Sequence, residues 1–283
     1  MSGSFHPLNR PRVGLALSGG AARGIAHVGV LRALTENQIP IDAIAGASAG
    51  ALVGGSFAAG LPIGDLEEMA RGFRWRHTQR FSFSRLGLQS NARLEKFLRA
   101  KLPVTRFEDL MVPFAAMATD LRKGELIVLR DRGDLPFAIR ASCCIPFIMT
   151  PVKDDEGRLL IDGGIVANLP ISQTRDLGAD VVIGVDVNSD GIRFFRKPRT
   201  ALGVLAYTFV AVERIVSNQE RQDADVLIAP KIGHIRWDQT RRSNELIKLG
   251  YEAGLAAIDE IRAAIAASTR ASTTPESSAV AVR

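Results

Sequence analysis

The stretch IDAIAGASAG, residues 41–50, decides the fold that this chain is predicted to adopt. An apolar run over residues 41–47 predicts a buried strand, and the uncharged small residues that follow predict a helix. At the junction, residues 46–50 form a G-x-S-x-G pentapeptide centred on Ser48. A serine at the turn from a buried strand into a helix has the placement of a nucleophile elbow. The stretch therefore predicts a strand–turn–helix unit with Ser48 as a candidate nucleophile.

Gly46 and Gly50 flank Ser48 as an elbow requires, because a side chain at either position would collide with neighbouring backbone. The following helix directs its amides and the positive end of its dipole at the serine, which favours an alkoxide and an oxyanion. A glycine-rich turn with a structural serine is the alternative interpretation. A transmembrane helix over the uncharged residues 43–63 is disfavoured, because Ala, Gly and Ser add little insertion energy.

Outside this stretch, apolar runs typical of strands alternate with segments of helical spacing. Strands are predicted at 12–18, 114–119, 126–129, 159–161, 179–187 and 226–229, and the longer helices at 24–36, 201–216 and 242–267. Such alternation predicts an α/β fold with a mainly parallel sheet between helical layers. The 283 residues, 46% of them hydrophobic, suit one domain over 1–267, and a Ser-, Thr- and Ala-rich disordered tail is expected over 268–283.

A loop of small residues, 19–24, lies between the first predicted strand and its helix. Its amides can converge on an anion at a helix N-terminus. A P-loop requires Lys and then Ser or Thr where Ile25 and Ala26 stand, and a dinucleotide fingerprint requires a glycine at position 21. An oxyanion loop requires only the amides, so that function remains. The residues predicted to form the oxyanion hole are Gly19, Gly20, Ala21, Ala22, Arg23 and Gly24.

Asp162 ends the apolar run 159–161 and precedes Gly163 and Gly164. A carboxylate at a strand end, followed by two glycines, can face a site with little steric crowding. Carboxylates in this position are often structural, so the pattern by itself leaves both roles open. Asp162 is nevertheless the candidate partner of Ser48.

The histidines offer no convincing third member of a triad. They are His6, His27, His77 and His234. His27 lies one helical turn after Arg23, where helix packing is the favoured role. The order Ser48, Asp162, His234 imitates an α/β-hydrolase triad, but that nucleophile follows several strands, whereas Ser48 follows only the second. A Ser–Asp dyad requires no histidine.

Five segments together resemble the bacterial patatin-like phospholipases in order, spacing and content. They are SGGAARGIAHVGVL (18–31), IAGASAG (44–50), FAAMATDL (114–121), AIRAS with IP (138–146) and LLIDGGIVANLPI (159–171). The resemblance runs from about Arg12 to Val187. In combination the segments are far more specific than the pentapeptide around Ser48.

The resemblance implies a three-layer α/β/α patatin-like fold and a Ser–Asp dyad, with Ser48 as nucleophile and Asp162 as general base. It implies an acyl-enzyme route to hydrolysis of phospholipid or lysophospholipid esters, with oxyanion amides from the 19–24 loop and neither metal nor other cofactor. Arg23 matches the basic position of that loop. Ala21 departs from the glycine common in the family but keeps the amide.

Two other functions fit the same residues. One is a soluble carboxylesterase or thioesterase acting on a small acyl ester. The other is a non-catalytic lipid-binding regulatory protein that retains the fold. Retention of Ser48, Asp162 and the glycine loop together disfavours the latter.

Positive charge is concentrated in the segment 71–101. It holds nine Lys or Arg and one acid, a net charge of +8 within a chain whose total is +6. Aromatic residues are interleaved with these cations, which suits a lid-like segment in peripheral contact with an anionic membrane. A solvated basic face is the alternative. No nucleic-acid partner is expected, because no recognised binding module is present.

The two cysteines, Cys143 and Cys144, are adjacent and so do not suggest a disulfide framework. They stand where small residues such as Ser are usual in the family, and packing is their expected role. Residues 1–10 lack the apolar core of a signal peptide. A cytoplasmic location is expected, with peripheral contact at the inner face of a membrane as an option.

Overall fold

The computed structural model describes residues 10–74, 80–81, 86–189 and 197–273. The strands are β1 (Val13–Leu17), β2 (Ala43–Ala47), β3 (Arg80–Phe81), β4 (Gln89–Ser90), β5 (Phe114–Asp120), β6 (Glu125–Arg130), β7 (Val152–Lys153), β8 (Leu159–Asp162), β9 (Val181–Val185) and β10 (Val226–Ile228). The helices are α1 (Ala26–Glu36), α2 (Ala49–Ala58), α3 (Ile63–Gly72), α4 (Ala92–Lys101), α5 (Leu135–Ser142), α6 (Ile171–Asp176), α7 (Ala201–Glu220), α8 (Ser243–Ala256) and α9 (Ile258–Thr273).

The main sheet has eight strands, and its parallel part runs in the order β10-β9-β1-β2-β5. The strands β6, β7 and β8 are added by antiparallel pairing. A separate two-stranded sheet joins β3 to β4. The prediction of an α/β fold with a mainly parallel sheet is confirmed.

Strand β5 has three partners along its two edges. Met117 pairs with Ala47 of β2 and Val128 of β6, and the next residue, Ala118, pairs with Asp162 of β8 and with β6. Because β6 occupies one edge throughout, β2 and β8 share the other. They run toward each other along it, so their last residues meet.

Alternate side chains of the central strands enter different layers, as expected for a sheet covered on both faces. One face packs against α1, α2, α3, α5, α8 and α9 through Leu15, Leu17, Ile44, Phe114, Ile183 and Val185. The opposite face is thinner and packs against α6 and the segments around it through Ala16, Ala45, Ala47, Met117 and Val182. Burial of each large aliphatic side chain contributes about 1.5–3 kcal/mol.

Three sequence predictions differ from the structure. The helix predicted over 242–267 is two helices, α8 and α9, separated at Ala257. The disordered tail predicted from Ser268 is wrong for residues 268–273, which continue α9, because adding residues to a helix that has already formed costs less free energy than starting one. Residues 274–283 lie outside the described residues. Helix α7 is also longer than predicted and ends at Glu220.

Candidate active site

Ser48 occupies a sharp turn between β2 and α2. Its backbone has φ 50° and ψ −118°, a strained conformation for a residue with a side chain. Two neighbours hold the turn: the Ser48 amide donates to Ser142 Oγ at 2.9 Å, and Cys143 Sγ donates to the Ser48 carbonyl at 3.1 Å. Ser48 itself is 6% exposed. The strained turn, held by α5 and the residue after it, fixes the hydroxyl-bearing carbon at the carboxyl end of the sheet.

Gly46 and Gly50 allow this turn to pack closely. A Cβ on Gly50 would lie 2.1 Å from the carbonyl oxygen of Leu17 in β1, and a Cβ on Gly46 would lie 2.6 Å from the backbone of Gly50. Both approaches are to backbone, which cannot move aside cheaply. Any larger residue at these positions would push α2 away from the sheet.

Asp162 ends β8 where that strand meets the end of β2. Its side chain is fully buried; Oδ1 accepts a 2.9 Å hydrogen bond from the Gly164 amide. Among the described residues, none donates to Oδ2 with hydrogen-bonding geometry. Burial raises the pKa of Asp162 to about 7, against the opposing effects of the Gly164 amide and the nearby Ser48 hydroxyl. The carboxyl group thus has one anchored oxygen and one oxygen free to accept a proton.

Within the loop 19–24, several amides already have acceptors. The Gly19 amide donates to Asn168, the Ala22 amide to the Trp237 carbonyl, and the Arg23 amide to the Gly20 carbonyl. For the amides of Gly20 and Ala21, the described part of the chain offers no acceptor. Of the amides at residues 19–23, those of Gly20 and Ala21 are therefore the candidate donors to an oxyanion. Ala21 lines both cavities of the site together with Ser48, and its φ of 50° differs from the negative φ of a regular helix.

The buried side chain of Arg23 connects this loop to a distant segment of the chain. The side chain is 1% exposed, and its guanidinium donates to the carbonyls of Ile235 at 2.7 Å and Gly233 at 3.2 Å. Together with the bond from Ala22 to Trp237, these contacts attach the loop to residues 233–237. The basic residue therefore satisfies buried carbonyls and links the loop to residues 233–237.

Two asparagines that were not predicted from the sequence also hold the loop 19–24 in place. Asn168 Oδ1 accepts from the Gly19 amide at 3.2 Å, and its Nδ2 donates to Ser217 Oγ at 2.7 Å. Asn188 Nδ2 donates to the Gly19 carbonyl at 3.1 Å. Asn168 belongs to the segment 159–171 quoted for the family resemblance, which could have signalled it. Asn188 lies after β9, and no motif marks it.

The two histidines in the described residues form no hydrogen bond with Ser48 or Asp162. His27 is fully buried, and burial lowers its pKa to about 4, so the neutral ring donates from Nε2 to the Ser18 carbonyl at 2.8 Å. It therefore packs α1 against β1. His234 is at the surface, 2.9 Å from Glu245. His6 and His77 lie outside the described residues.

Two cavities meet at Ser48. The first, about 760 Å³ with its open mouth, is almost wholly apolar and extends between α1, α2, α3 and α4. Its walls include Val28, Leu52, Leu66, Met69, Leu94 and Met149. The second, about 540 Å³, lies on the other side of Ser48 beneath α7, and carries polar groups from Asn188 and Glu213.

The cysteines are free thiols inside the protein. Burial raises the pKa of both, that of Cys144 to about 12. Cys144 Sγ donates to the Thr150 carbonyl at 3.2 Å, and Cys143 supports the elbow. Each thiol therefore acts as a small packing group rather than as a nucleophile.

The basic segment is only partly described, because residues 75–79 and 82–85 lie outside the described ranges. Several of its cations are paired: Arg71 with Glu67, and Arg99 with Glu95 and Asp134. Lys96 and Lys101 are exposed on α4. Leu86 and Leu88 are also exposed, at the start of β4.

The described residues contain no cluster of three or more His, Cys, Asp or Glu side chains that could hold a metal ion. Nor does any helix in those ranges have the length and hydropathy required to cross a bilayer.

Known proteins with similar sequences include two curated relatives. An NTE family protein of Mycobacterium tuberculosis is 41% identical over 181 residues, 63% of this chain and 49% of that protein. The lysophospholipase nte1 of Neurospora crassa is 34% identical over 197 residues, 66% of this chain and 13% of its own length. The chain thus spans half or less of the length of these curated relatives.

The crystal structure of VipD from Legionella pneumophila has a similar fold, with a TM-score of 0.61 at 15% sequence identity, covering 90% of this chain and 67% of VipD. A family model for patatin-like phospholipases matches residues 15–175, which include the end of β1, the elbow, β5 and Asp162. The chain belongs to the patatin-like phospholipase family.

Proposed function

We propose that this protein is a serine acyl hydrolase that cleaves carboxylic esters of phospholipids or lysophospholipids. The observation that carries the proposal is the meeting of a strained nucleophile elbow at Ser48 with a buried carboxyl group, Asp162, that has one oxygen free. The large apolar cavity beside Ser48 and the lysophospholipase among the relatives support a lipid acyl chain as substrate.

In the proposed reaction, Ser48 Oγ attacks the ester carbonyl while Asp162 Oδ2 accepts the hydroxyl proton. The Gly20 and Ala21 amides stabilise the oxyanion; a single donor of this kind contributes about 3–4 kcal/mol to transition-state stabilisation. As the tetrahedral intermediate collapses, the ester C–O bond breaks and Asp162 returns the proton to the departing alcohol. Water then attacks the acyl-enzyme and gives a proton to Asp162; when the bond from the acyl carbon to Ser48 Oγ breaks, Asp162 passes that proton to Oγ, which releases the fatty acid and restores Ser48.

The acidity of Asp162 suits this role. An ordinary aspartate, with a pKa of about 3.9, is a poor base for a serine hydroxyl. Burial raises the pKa of Asp162 to about 7, which brings its basicity close to what general-base catalysis at neutral pH requires. The same burial removes water that would otherwise weaken the interaction of the oxyanion with the loop amides.

A fluorophosphonate probe tests the nucleophile directly. We expect it to label the wild-type protein and not Ser48→Ala, while Ser56→Ala, a matched change at a buried serine of α2, keeps labelling. Asp162→Asn is expected to abolish turnover with the fold intact, and Asp109→Asn, at an exposed carboxylate, to leave turnover unchanged. Efficient ester hydrolysis by Asp162→Asn would exclude the dyad.

A substrate panel separates the lipid from a small soluble ester. With phospholipid, lysophospholipid and short-chain esters or thioesters assayed side by side, we expect the long-chain lipid to have the highest kcat/KM. Preference for a short soluble ester would favour a carboxylesterase or thioesterase. Absence of both labelling and turnover would favour a lipid-binding protein without catalysis.

The basic segment 71–101 is proposed to bring the site to an anionic membrane surface, consistent with peripheral action from the cytoplasm. Lys96→Glu with Lys101→Glu tests this through two exposed cations. On anionic vesicles the double variant should lose activity, since each cation near the surface contributes about 1 kcal/mol. Its activity on a soluble ester should be unchanged. Equal vesicle activity in wild type and variant would contradict the membrane role.

A further inference from the structure

Glu213 places a second carboxyl group in the active site. It lies on α7 and is 4% exposed. Its Oε1 is 2.6 Å from the point that a Cβ on Gly164 would occupy and 3.2 Å from the corresponding point at Gly19. The carboxyl group is therefore seated against two glycines, one beside Asp162 and one in the oxyanion loop. A side chain at either position would displace it.

The two carboxyl groups of the site are close together. Asp162 Oδ1 lies 3.2 Å from the same Gly164 point, so Asp162 Oδ1 and Glu213 Oε1 are at most about 6 Å apart, a range in which one carboxylate disfavours ionisation of another. Only Asp162 has help in carrying charge, from the Gly164 amide and the Ser48 hydroxyl. No described residue donates a hydrogen bond to the Glu213 carboxyl group. Asp162 therefore loses its proton first, and Glu213 keeps its own.

The neighbouring carboxylates also favour the protonated form of Glu213. Burial, followed by Asp162 and Asp186, raises the pKa of Glu213 well above its ordinary value. Asp186 forms an ion pair with Arg221, the residue that follows α7. Glu220, on the same helix, accepts from the Leu169 amide and has a pKa raised to about 8 by burial. No described cation is paired with Glu213.

Glu213 faces the second cavity. The walls there are mainly apolar and come from Ile145, Pro146, Ile148, Ala206, Phe209 and Trp237. Ser48 and Ala21 form the border with the first cavity. An ester whose acyl chain fills the first cavity and whose carbonyl carbon meets Ser48 would extend its alcohol side into the second.

We propose that the second cavity is a binding subsite for the alcohol portion of the ester, and that the protonated carboxyl group of Glu213 donates a hydrogen bond to an oxygen of that portion. The ligand class is a polyol ester such as a glycerol backbone, with carbons against the apolar wall and oxygen acceptors toward Glu213. This rests on the proposed function, since it extends the same site.

Two substrates with the same acyl chain test the subsite: a lysophospholipid, whose alcohol portion is a glycerol derivative, and a p-nitrophenyl ester, whose leaving group has no hydroxyl or phosphate oxygen. We expect Glu213→Leu to lower kcat/KM for the lysophospholipid about tenfold or more, the cost of one lost hydrogen bond. For the p-nitrophenyl ester the change should stay within about threefold. Gln219→Leu, on the exposed face of α7, should alter neither.

Glu213→Gln supplies a second, conservative test through pH. The amide keeps a donor but cannot ionise. Wild-type activity on the lysophospholipid should decline at alkaline pH as Glu213 loses its proton, and Glu213→Gln should lack that decline. This comparison decides the matter even if Glu213→Leu does not fold.

The outcomes distinguish this inference from the proposed function. Equal effects of Glu213→Leu on both substrates, or an alkaline decline that persists in Glu213→Gln, would overturn the subsite. Failure of the wild-type protein to hydrolyse either ester or to react with a fluorophosphonate would instead overturn the proposed function.

Discussion

Ser48 and Asp162 stand at the facing ends of two strands that run toward each other along one edge of β5. Ala47, the last residue of β2, and Asp162 pair with consecutive β5 residues, Met117 and Ala118. The register of β5 thus sets the separation of Ser48 and Asp162, the proposed nucleophile and base. Since sheet hydrogen bonds on both edges hold β5, this separation is fixed, as the proposed direct proton transfer between the two residues requires.

The first prediction concerns the pH dependence of activity. If Asp162 is the base, it must be ionised, and burial places its pKa at about 7. Activity should therefore rise with pH through neutrality, and kcat/KM should fall about tenfold per pH unit well below that pKa. A pH profile on a soluble ester checks this. A profile flat between pH 5 and 8 would exclude Asp162 as the titrating base.

The second prediction concerns stability. Asp162 has a higher pKa in the folded protein than the ordinary aspartate value of 3.8, so the folded state binds this proton more tightly than the unfolded state. That contribution is fully present below the unfolded pKa and is lost as pH rises through about 7. Asp162→Asn should then raise the free energy of unfolding at pH 8 by on the order of 2–4 kcal/mol.

Urea titrations of wild type and Asp162→Asn at pH 8 and pH 5 measure this difference. The gain should be smaller at pH 5, where the wild-type carboxyl group is largely protonated in the folded state. A variant less stable than wild type at pH 8 would show that the ionised carboxyl group is not destabilising.

The third prediction concerns Ala21 in the oxyanion loop. Its φ of 50° is in the left-handed region, which costs an L-residue with a side chain about 1–2 kcal/mol. Ala21→Gly removes this cost but adds unfolded-state entropy, so the net gain in unfolding free energy should be about 0.5–1 kcal/mol. Ala22→Gly, at a neighbour without positive φ, should lose stability. Thermal unfolding of the two variants compares them directly; the opposite order would contradict the assigned conformation.

The fourth prediction concerns Arg23. Its rigid guanidinium satisfies two buried carbonyls, of Gly233 and Ile235, and an ammonium group cannot reproduce that geometry. Arg23→Lys should destabilise the protein by about 1–3 kcal/mol, since a buried acceptor is left unsatisfied. Because the loop that carries the Gly20 and Ala21 amides would shift, kcat should fall about tenfold.

Arg241→Lys, at an exposed arginine, is the control and should leave both stability and kcat unchanged. Retention of full kcat by Arg23→Lys would show that the loop holds its position without the bonds to residues 233–237.

Local pattern was sufficient to predict the elements that carry the candidate chemistry. The strand-to-helix turn at Ser48, the small-residue loop 19–24 and the strand ending at Asp162 each depend on neighbours a few residues away, through hydrophobic periodicity and turn sterics. The same is true of the mainly parallel sheet, because strands alternating with helices leave few other arrangements.

Tertiary structure decided how these elements meet. The antiparallel entry of β8 brings Asp162 to Ser48 head-on, and that direction is set by pairing with β5, not by any local signal. Which loop amides remain free depends on Asn168 and Trp237, both distant in the chain. Glu213 carries no motif and reads as an ordinary helix residue. The role proposed for it follows only from its burial against Gly19 and Gly164, because desolvation and the proximity of another carboxyl group are properties of the folded chain.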